Sequence, residues 1–426
     1  MNEAAPAHAD PGAGAPLLRD ANFLRLWAAL ACNAFGYEIS ALAIPLAAAV
    51  LLQASVMQMS VLKLMELLPA LLFVLPGGAL ADRVGSKPLL LARACGEALA
   101  LGLIPLAFVL GRLDMHALCA SVFLLAAVSG LFSAAEPCLI NAVLTAPRLV
   151  DGYSKIQGVA AVAQALAPAL AGVLVQWLAA PLAICADALL ALAGAALLLG
   201  VRQDGPRVPT PAPLHLATRR PLRFAGGAAF IWRTPQLRFI IGQRVLWLMF
   251  QQPVAALLLV YAVRICGLGA AATGAAFLAC GVGGVAAALL AERLGRDRRV
   301  TVRCAACAGL AATALLAMLA AIAGGGAPLP LLAAFLFVFG FANTYLAVHY
   351  AAQRGALTPP AWQGRVAAAA TICGLVLTGA AVLAAGAAST LLGLPAVLAA
   401  LACAGAAMAA SPLLFATGDA DHARAP

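Results

Sequence analysis

Apolar residues run along this chain in long blocks instead of alternating with polar ones. Twelve such blocks, broken at clusters of Pro, Gly and charge, fall near 23–47, 57–81, 88–110, 116–137, 157–177, 181–201, 237–262, 268–291, 301–322, 328–350, 366–389 and 394–415. About 20 apolar residues carry an α-helix across the hydrocarbon layer of a bilayer. A barrel strand needs only about 10, with polar inward positions at every second place, and the Ala-, Leu-, Val- and Gly-rich blocks show no such alternation. The pattern predicts an all-α membrane protein of twelve transmembrane helices. The first block is too long for the apolar stretch of a signal peptide and has no clear cleavage site, so it is expected to stay as a helix.

Charge gives the expected orientation. Placing the N-terminal tail in the cytoplasm puts 22 of the 26 Lys and Arg residues on the cytoplasmic side, Arg93, Arg303 and Arg354 among them. Only Arg112 and Arg264 fall outside, and Lys63 and Arg244 fall within blocks. Cytoplasmic loops carry this excess in membrane proteins, and one miscounted helix would reverse every later loop. Both termini are therefore expected in the cytoplasm. Charged residues make up 10% of the 426, against about 25% in a soluble domain. So few cannot cover a water-soluble surface, which excludes a soluble enzyme, a disordered tail protein and a nucleic-acid-binding domain. The net charge of +10 is thus a topology signal before it is a hint of a polyanionic partner. The 11 Cys are scattered through apolar runs and form no disulfide framework. Cys304 and Cys307 make a CxxC, but without a second pair or a nearby His they read as small apolar residues.

The Pro- and Arg-rich stretch 202–236, with PRVPTPAP at 206–213, is the longest interruption. It divides the chain into a cytoplasmic tail (1–22), a six-helix bundle (23–201), a basic cytoplasmic linker (202–236), a second six-helix bundle (237–415) and a C-terminal tail (416–426). The two bundles resemble each other. LRLW at 24–27 matches LRFI at 237–240, LTAP at 144–147 matches LTPP at 357–360, and ADRVGSK at 81–87 matches AERLGRD at 291–297, at offsets of 213, 213 and 210. Parallel repeats of this kind suit alternating access, in which one half rocks against the other around a midplane site.

The loop between blocks 2 and 3 reads GALADRVGSK, with Gly78, Asp82, Arg83, Gly85 and Lys87 at its marked places. Gly78 allows close helix approach, and Gly85 allows a tight turn. Asp82 can sit against a helix N-terminus and pair with basic neighbours, while Arg83 and Lys87 are expected to face the anionic inner leaflet. This stretch is similar to the GxxxDRxGxK/R signature of the major facilitator superfamily. Asn22 to Trp27, Gly36, Ala43 to Leu46, Ala186 to Leu189 and Gly364 to Val366 resemble the branch of enterobactin exporters and macrolide efflux proteins. The resemblance covers about residues 22–415. It implies a twelve-helix transporter whose loop motif latches the cytoplasmic side shut in the outward-facing state. It also implies a cavity lined by helices 1, 4, 7 and 10.

Ionisable groups at membrane depth are costly and mark function by default. Glu38 lies mid-way along block 1, and its counterpart 213 residues on is Gln251. A desolvated carboxylate there can trade a proton for substrate. The alternative is a structural carboxylate bonded to a neighbouring helix. Arg244, Trp247 and Gln251, spaced i, i+3, i+7, share one helix face. A cation, a ring and an amide on one stripe suit an anionic or aromatic polar substrate, unless Arg244 only snorkels to the cytoplasmic surface. Glu136 and its counterpart His349 both stand near the cytoplasmic mouth, as a proton relay, a gating pair or plain interface residues. Asn343, Tyr345, Tyr350, Asn33 and Tyr37 add polar character to the cavity helices. Lys63 and Glu66, at i, i+3, are expected to neutralise each other. Glu97 and Asp187 are expected to be structural, with partners that spacing alone does not name.

There is no GxxxxGK[ST] loop for ATP, and no Ser/His/Asp set, HExxH or dense His/Cys cluster, so no enzyme, cofactor or metal site is expected. The expected function is a secondary transporter, monomeric, that exports a small amphiphilic molecule by proton antiport. A siderophore is the first choice and a drug or antibiotic the second. An importer of a small metabolite is the nearest alternative, and a non-transporting receptor or scaffold the alternative of another class.

Overall fold

The computed structural model describes residues 17–133, 135–144, 148–202, 220–294, 300–359 and 362–407. It is helical throughout, because in hydrocarbon every backbone N–H and C=O must be satisfied within the segment. The first half comprises α1 (Ala21–Leu46), α2 (Val56–Val84), α3 (Ser86–Val109), α4 (Met115–Phe132), α5 (Ala135–Val143), α6 (Leu149–Leu178) and α7 (Ala180–Leu199). After α8 (Arg220–Arg233) the second half comprises α9 (Pro235–Val260), α10 (Ala270–Leu294), α11 (Val300–Ala323), α12 (Pro328–Leu357), α13 (Gln363–Leu392) and α14 (Leu394–Ala407). Among the described residues eleven helices are long and apolar enough to span a membrane, and α14 is a shorter apolar one, giving the two six-helix halves expected.

Two expected boundaries change. The fourth block is described as two helices: α4 stops at Phe132, and α5 begins at Ala135 and carries Glu136. The linker is not irregular to its end. Arg220–Arg233 is a helix that packs on α9 and α13, with Phe230 stacked on Trp362 at 5.1 Å.

The helix ends explain themselves. Asp20 accepts from the Asn22 and Phe23 amides at the start of α1, and Ser55 with Gln58 forms a full capping box on α2. Gly85, at φ 93°, turns α2 straight into α3, a conformation that side chains resist. α1 ends in a π-helical turn at Ala47–Leu51 and α9 in another at Tyr261–Ile265, 214 residues on. The Ala54 amide donates to Ala48 O, and the Leu268 amide to Ala262 O, at the same offset. α3 and α11 end at glycines of positive φ, Gly111 and Gly325, and α6 and α13 at Ala179 and Gly393, again 214 apart. The repeat is therefore built at 214, one more than the matched LRLW and LRFI words suggest.

Call the side where α1 begins and α2 ends the basic face; it carries Lys87, Arg202, Arg238 and Arg365. Trp232 stands at that face and Trp177 at the far one, 72% and 82% exposed, as interfacial aromatics do. The halves meet through α6 with α10 and α2 with α13. Lipid gives no hydrophobic drive to helix pairing, so small residues must bring backbones together. A Cβ on Gly172 would stand 2.9 Å from Gly274 Cα and 2.7 Å from Ala270 O. Gly386 lies against Ser60 and Met57. All of these sit toward the far face. There the Arg264 guanidinium also donates to Ala54 O at 2.6 Å, tying the α9–α10 corner to the α1–α2 corner. The far face is closed.

Candidate functional site

Toward the basic face the halves part around a cavity of about 330 Å³. It runs from Gln252 and Thr378 at mid-helix to Arg354, within a turn of the end of α12. Its walls are α9, α12 and α13, with Leu67 of α2 on the other side. Arg244 projects into it from α9, with Tyr350 and Arg354 of α12 as its charged and phenolic neighbours. One guanidinium nitrogen, Nη1, is buried with no acceptor among the described residues.

The expected stripe of Arg244, Trp247 and Gln251 splits. The cavity face of α9 is Ile240, Ile241, Arg244, Val245, Leu248 and Gln252. Trp247 turns instead to Asn343 and Phe339 of α12, and Gln251 is not in the cavity wall. Trp247 is 4% exposed, packed on Phe250 and Phe339, and its indole N–H donates to Asn343 Oδ1 at 3.2 Å. Trp247 and Asn343 are thus partners in the core of the second half and do not line the cavity. The helix register also corrects the counterpart of Glu38. At 214 it is Gln252, which lines the cavity, and not Gln251.

Glu38 is half-buried on α1 and within electrostatic reach of Tyr37 and of Cys280 on α10, so it faces the second half without lining the large cavity. The Tyr37 ring is 57% exposed, with Glu66 of α2 close to its hydroxyl. Lys63 and Glu66 pair as expected, at 2.8 Å.

Arg93 is the largest departure. It is not a loop cation but sits in α3 with its side chain 14% exposed. Its Nε donates to Glu97 at 2.9 Å, Nη1 to Glu136 at 3.3 Å and Nη2 to Asn33 at 3.4 Å, while Asn33 donates to Glu97 at 3.2 Å. Asp187 of α7 lies against Gly36 of α1, with Glu97 and Ser40 nearby. Glu97 therefore has the partner that spacing left unnamed, and the i, i+4 step from Arg93 was the signal for it. Glu136 belongs to this network and makes no pair with His349. His349 packs on Tyr345 at 4.3 Å between ring centres, beside Arg303. Glu136, on α5, stays with α3 through Arg93.

The sequence pattern described as Major Facilitator Superfamily matches residues 26–379. The chain belongs to that superfamily. It is accordingly a multi-pass membrane transporter of small molecules. Three solved structures have a similar fold. A bacterial homologue of the iron transporter ferroportin, in an inward-facing state, is 17% identical, with a TM-score of 0.64 over 93% of this chain and 99% of that one. A peptide transporter, POT, is 15% identical, with a TM-score of 0.72 over 93% and 94%. The nucleoside transporter NupG is 12% identical, with a TM-score of 0.67 over 92% and 98%. No curated protein matches the chain.

Within the superfamily loop, Gly85 makes the tight turn expected of it. Lys87 does not turn to lipid. Its ammonium donates to Leu199 O at 2.9 Å and Val201 O at 2.7 Å, capping the end of α7. The side chains of Asp82 and Arg83, and Gly78 with them, lie outside the described residues. Sequence reasoning missed Arg354, Gln252 and Thr378 as cavity residues. Arg354 is grouped by sequence with the loop cations, although it stands 7 residues, about two turns, from Ala347 on the helix face that lines the cavity.

Proposed function

We propose that this superfamily member exports a small amphiphilic molecule from the cytoplasm across the bacterial inner membrane by proton antiport, acting as a monomer with both chain ends in the cytoplasm. A siderophore is the first choice of substrate and a drug or antibiotic the second. One observation carries the reading: the far face is closed while a polar cavity reaches toward the basic face. Basic loops are cytoplasmic loops, so the cavity loads from inside the cell, as an exporter must. Alternating access then moves the closure from Gly172 and Gly274 to the loop that carries Asp82, which acts as the latch of the opposite state. Glu38 is the coupling group, placed on α1 opposite the second half at the position that Gln252 occupies in the cavity wall.

Everted vesicles test this, using the compound that a deletion strain retains inside the cell. Glu38→Gln is expected to lower proton-driven uptake about tenfold or more, the lower end of the range for a positioned proton-transfer group being about a hundredfold. Glu136→Gln is expected to act mainly through stability, since Glu136 is bonded to Arg93. Undiminished proton-driven uptake in Glu38→Gln discards the coupling assignment.

A further inference from the structure

We infer that the cavity between α9, α12 and α13 is an anion site, which takes the carboxylate, phosphate or sulfonate end of an amphiphile between Arg244 and Arg354. This deepens the reading of the cavity as the substrate site and rests on it. Two guanidiniums face one cavity of about 330 Å³, and no described carboxylate lines it. The acidic residue next to lining Leu67 is Glu66, already held by Lys63 at 2.8 Å. Arg244 stands nine residues into α9, roughly 14 Å from its start at 1.5 Å per residue. That is too far for its head to reach the surface, and its Nη1 is buried without an acceptor among the described residues. Like charges in a low-dielectric space repel, and an unpaired buried cation is costly. A bound anion removes both penalties at once. It is held best by guanidinium forks, which match the planar carboxylate or the phosphate edge.

The rest of the wall fits an amphiphile. The Tyr350 hydroxyl lies beside Arg244, and Thr378 presents a buried hydroxyl with no described partner at the deep end. Ile240, Leu248 and Leu375 form the apolar side. Buried polar atoms in folded proteins nearly always have partners, so orphans in a cavity wall point to a missing ligand or water.

The test uses the full chain in nanodiscs of neutral phosphatidylcholine, titrated calorimetrically with 2-naphthoate, 2-naphthyl phosphate, naphthalene-2-sulfonate and the neutral 2-naphthamide. At least one anion is expected to bind about tenfold more tightly than the amide. That preference is expected to vanish in Arg244→Gln and in Arg354→Gln, to survive in part in the two Arg→Lys variants, and to be unchanged in Arg112→Gln. The Lys variants separate lost charge from lost folding. Equal binding of anion and amide, no binding of any probe, or a preference that survives both Gln variants overturns the inference. A second set of discs carries phosphatidylglycerol. If the preference disappears there, a lipid headgroup holds the two cations and the substrate reading is overturned; if it persists, the ligand is a soluble amphiphile. Binding needs no proton gradient and no direction, so failure of export or coupling in vesicles leaves this result standing, and the reverse also holds.

Discussion

The two halves share one backbone plan and spend their polar residues differently. In the first half the buried cation is partnered: Arg93 is met by Glu97, Glu136 and Asn33. At the offset of 214 the second half has Cys307 and Ala311 in the places of Arg93 and Glu97. The cavity cation Arg244 answers to Leu30, a buried apolar residue of the first half. Buried polar atoms without a described partner follow the same division. Arg244 Nη1, Gln251 Oε1, His349 Nε2 and Thr378 Oγ1 all belong to the second half. A duplicated scaffold can thus hold one copy's buried cation in an internal ion network and leave the other's, Arg244, facing a cavity.

Arg93 offers the hardest test of that contrast. Arg93→Met leaves Glu97 buried and Glu136 part-buried without their cation, and removing one partner of a buried pair costs about 3–5 kcal/mol. The double variant Arg93→Cys, Glu97→Ala installs the residues of the second half. It removes both members of the tightest pair, so it is expected to recover more than half of that loss. Thermal unfolding in detergent measures both. If the double variant is no more stable than the single one, the network is not what distinguishes the first half.

The seam between the halves comes next. Gly274→Val drives a side chain into Gly172 and the Pro168 carbonyl, 2.6 Å from the position of the new Cβ. Overpacking of this kind costs about 1–3 kcal/mol, and here it falls only on the arrangement with the far face closed. The population with that face open is expected to rise roughly five- to a hundredfold. Labelling of a cysteine placed near the far end of α10 reads it. Unchanged labelling means that the Gly172–Gly274 contact does not close the molecule.

How much of this was legible follows the length scale of the signal. Apolar blocks and loop charges extend over tens of residues, and they carried the helix count, the halves and the resemblance to the superfamily. The Lys63–Glu66 pair was legible because both residues sit three apart on one helix. The site was harder. A one-residue error in the repeat offset, 213 against 214, is enough to exchange Gln251 for Gln252, because it rotates the comparison by 100°. Trp247 carries the residue type of a binding stripe, yet Asn343 on another helix decides where its indole points. Arg93 lies near the start of its block and so counted as a loop cation, although Glu97 four residues on is its partner. At the offset of 214 the counterpart of Glu136 is Tyr350 and not His349, and Glu136 is held by Arg93 of its own half.

The smallest expected effect concerns how the halves start their helices. On the first half Asp114 caps α4, accepting from the Ala117 amide at 2.8 Å. On the second half Ala327 begins α12 with no side-chain cap. It needs less of one, because Pro328 and Pro330 remove two of the four first-turn N–H groups. The Ala117 hydrogen bond holds the Asp114 carboxyl below its ordinary value of about 3.9. A group depressed on folding contributes stability that is complete above its unfolded value and lost as pH falls through the folded one. The first half is therefore expected to lose a little stability below about pH 4 through this residue. Asp114→Asn keeps an acceptor but no titratable group, so its unfolding midpoint should fall less between pH 5 and pH 3 than that of the wild type. Ala327→Asp should move the midpoint by less than the roughly 0.5 kcal/mol that a productive cap supplies at minimum, since two of the donors are missing. A gain at α12 equal to a full cap would mean that proline does not substitute for capping here, and that the two halves differ less at their helix starts than their sequences imply.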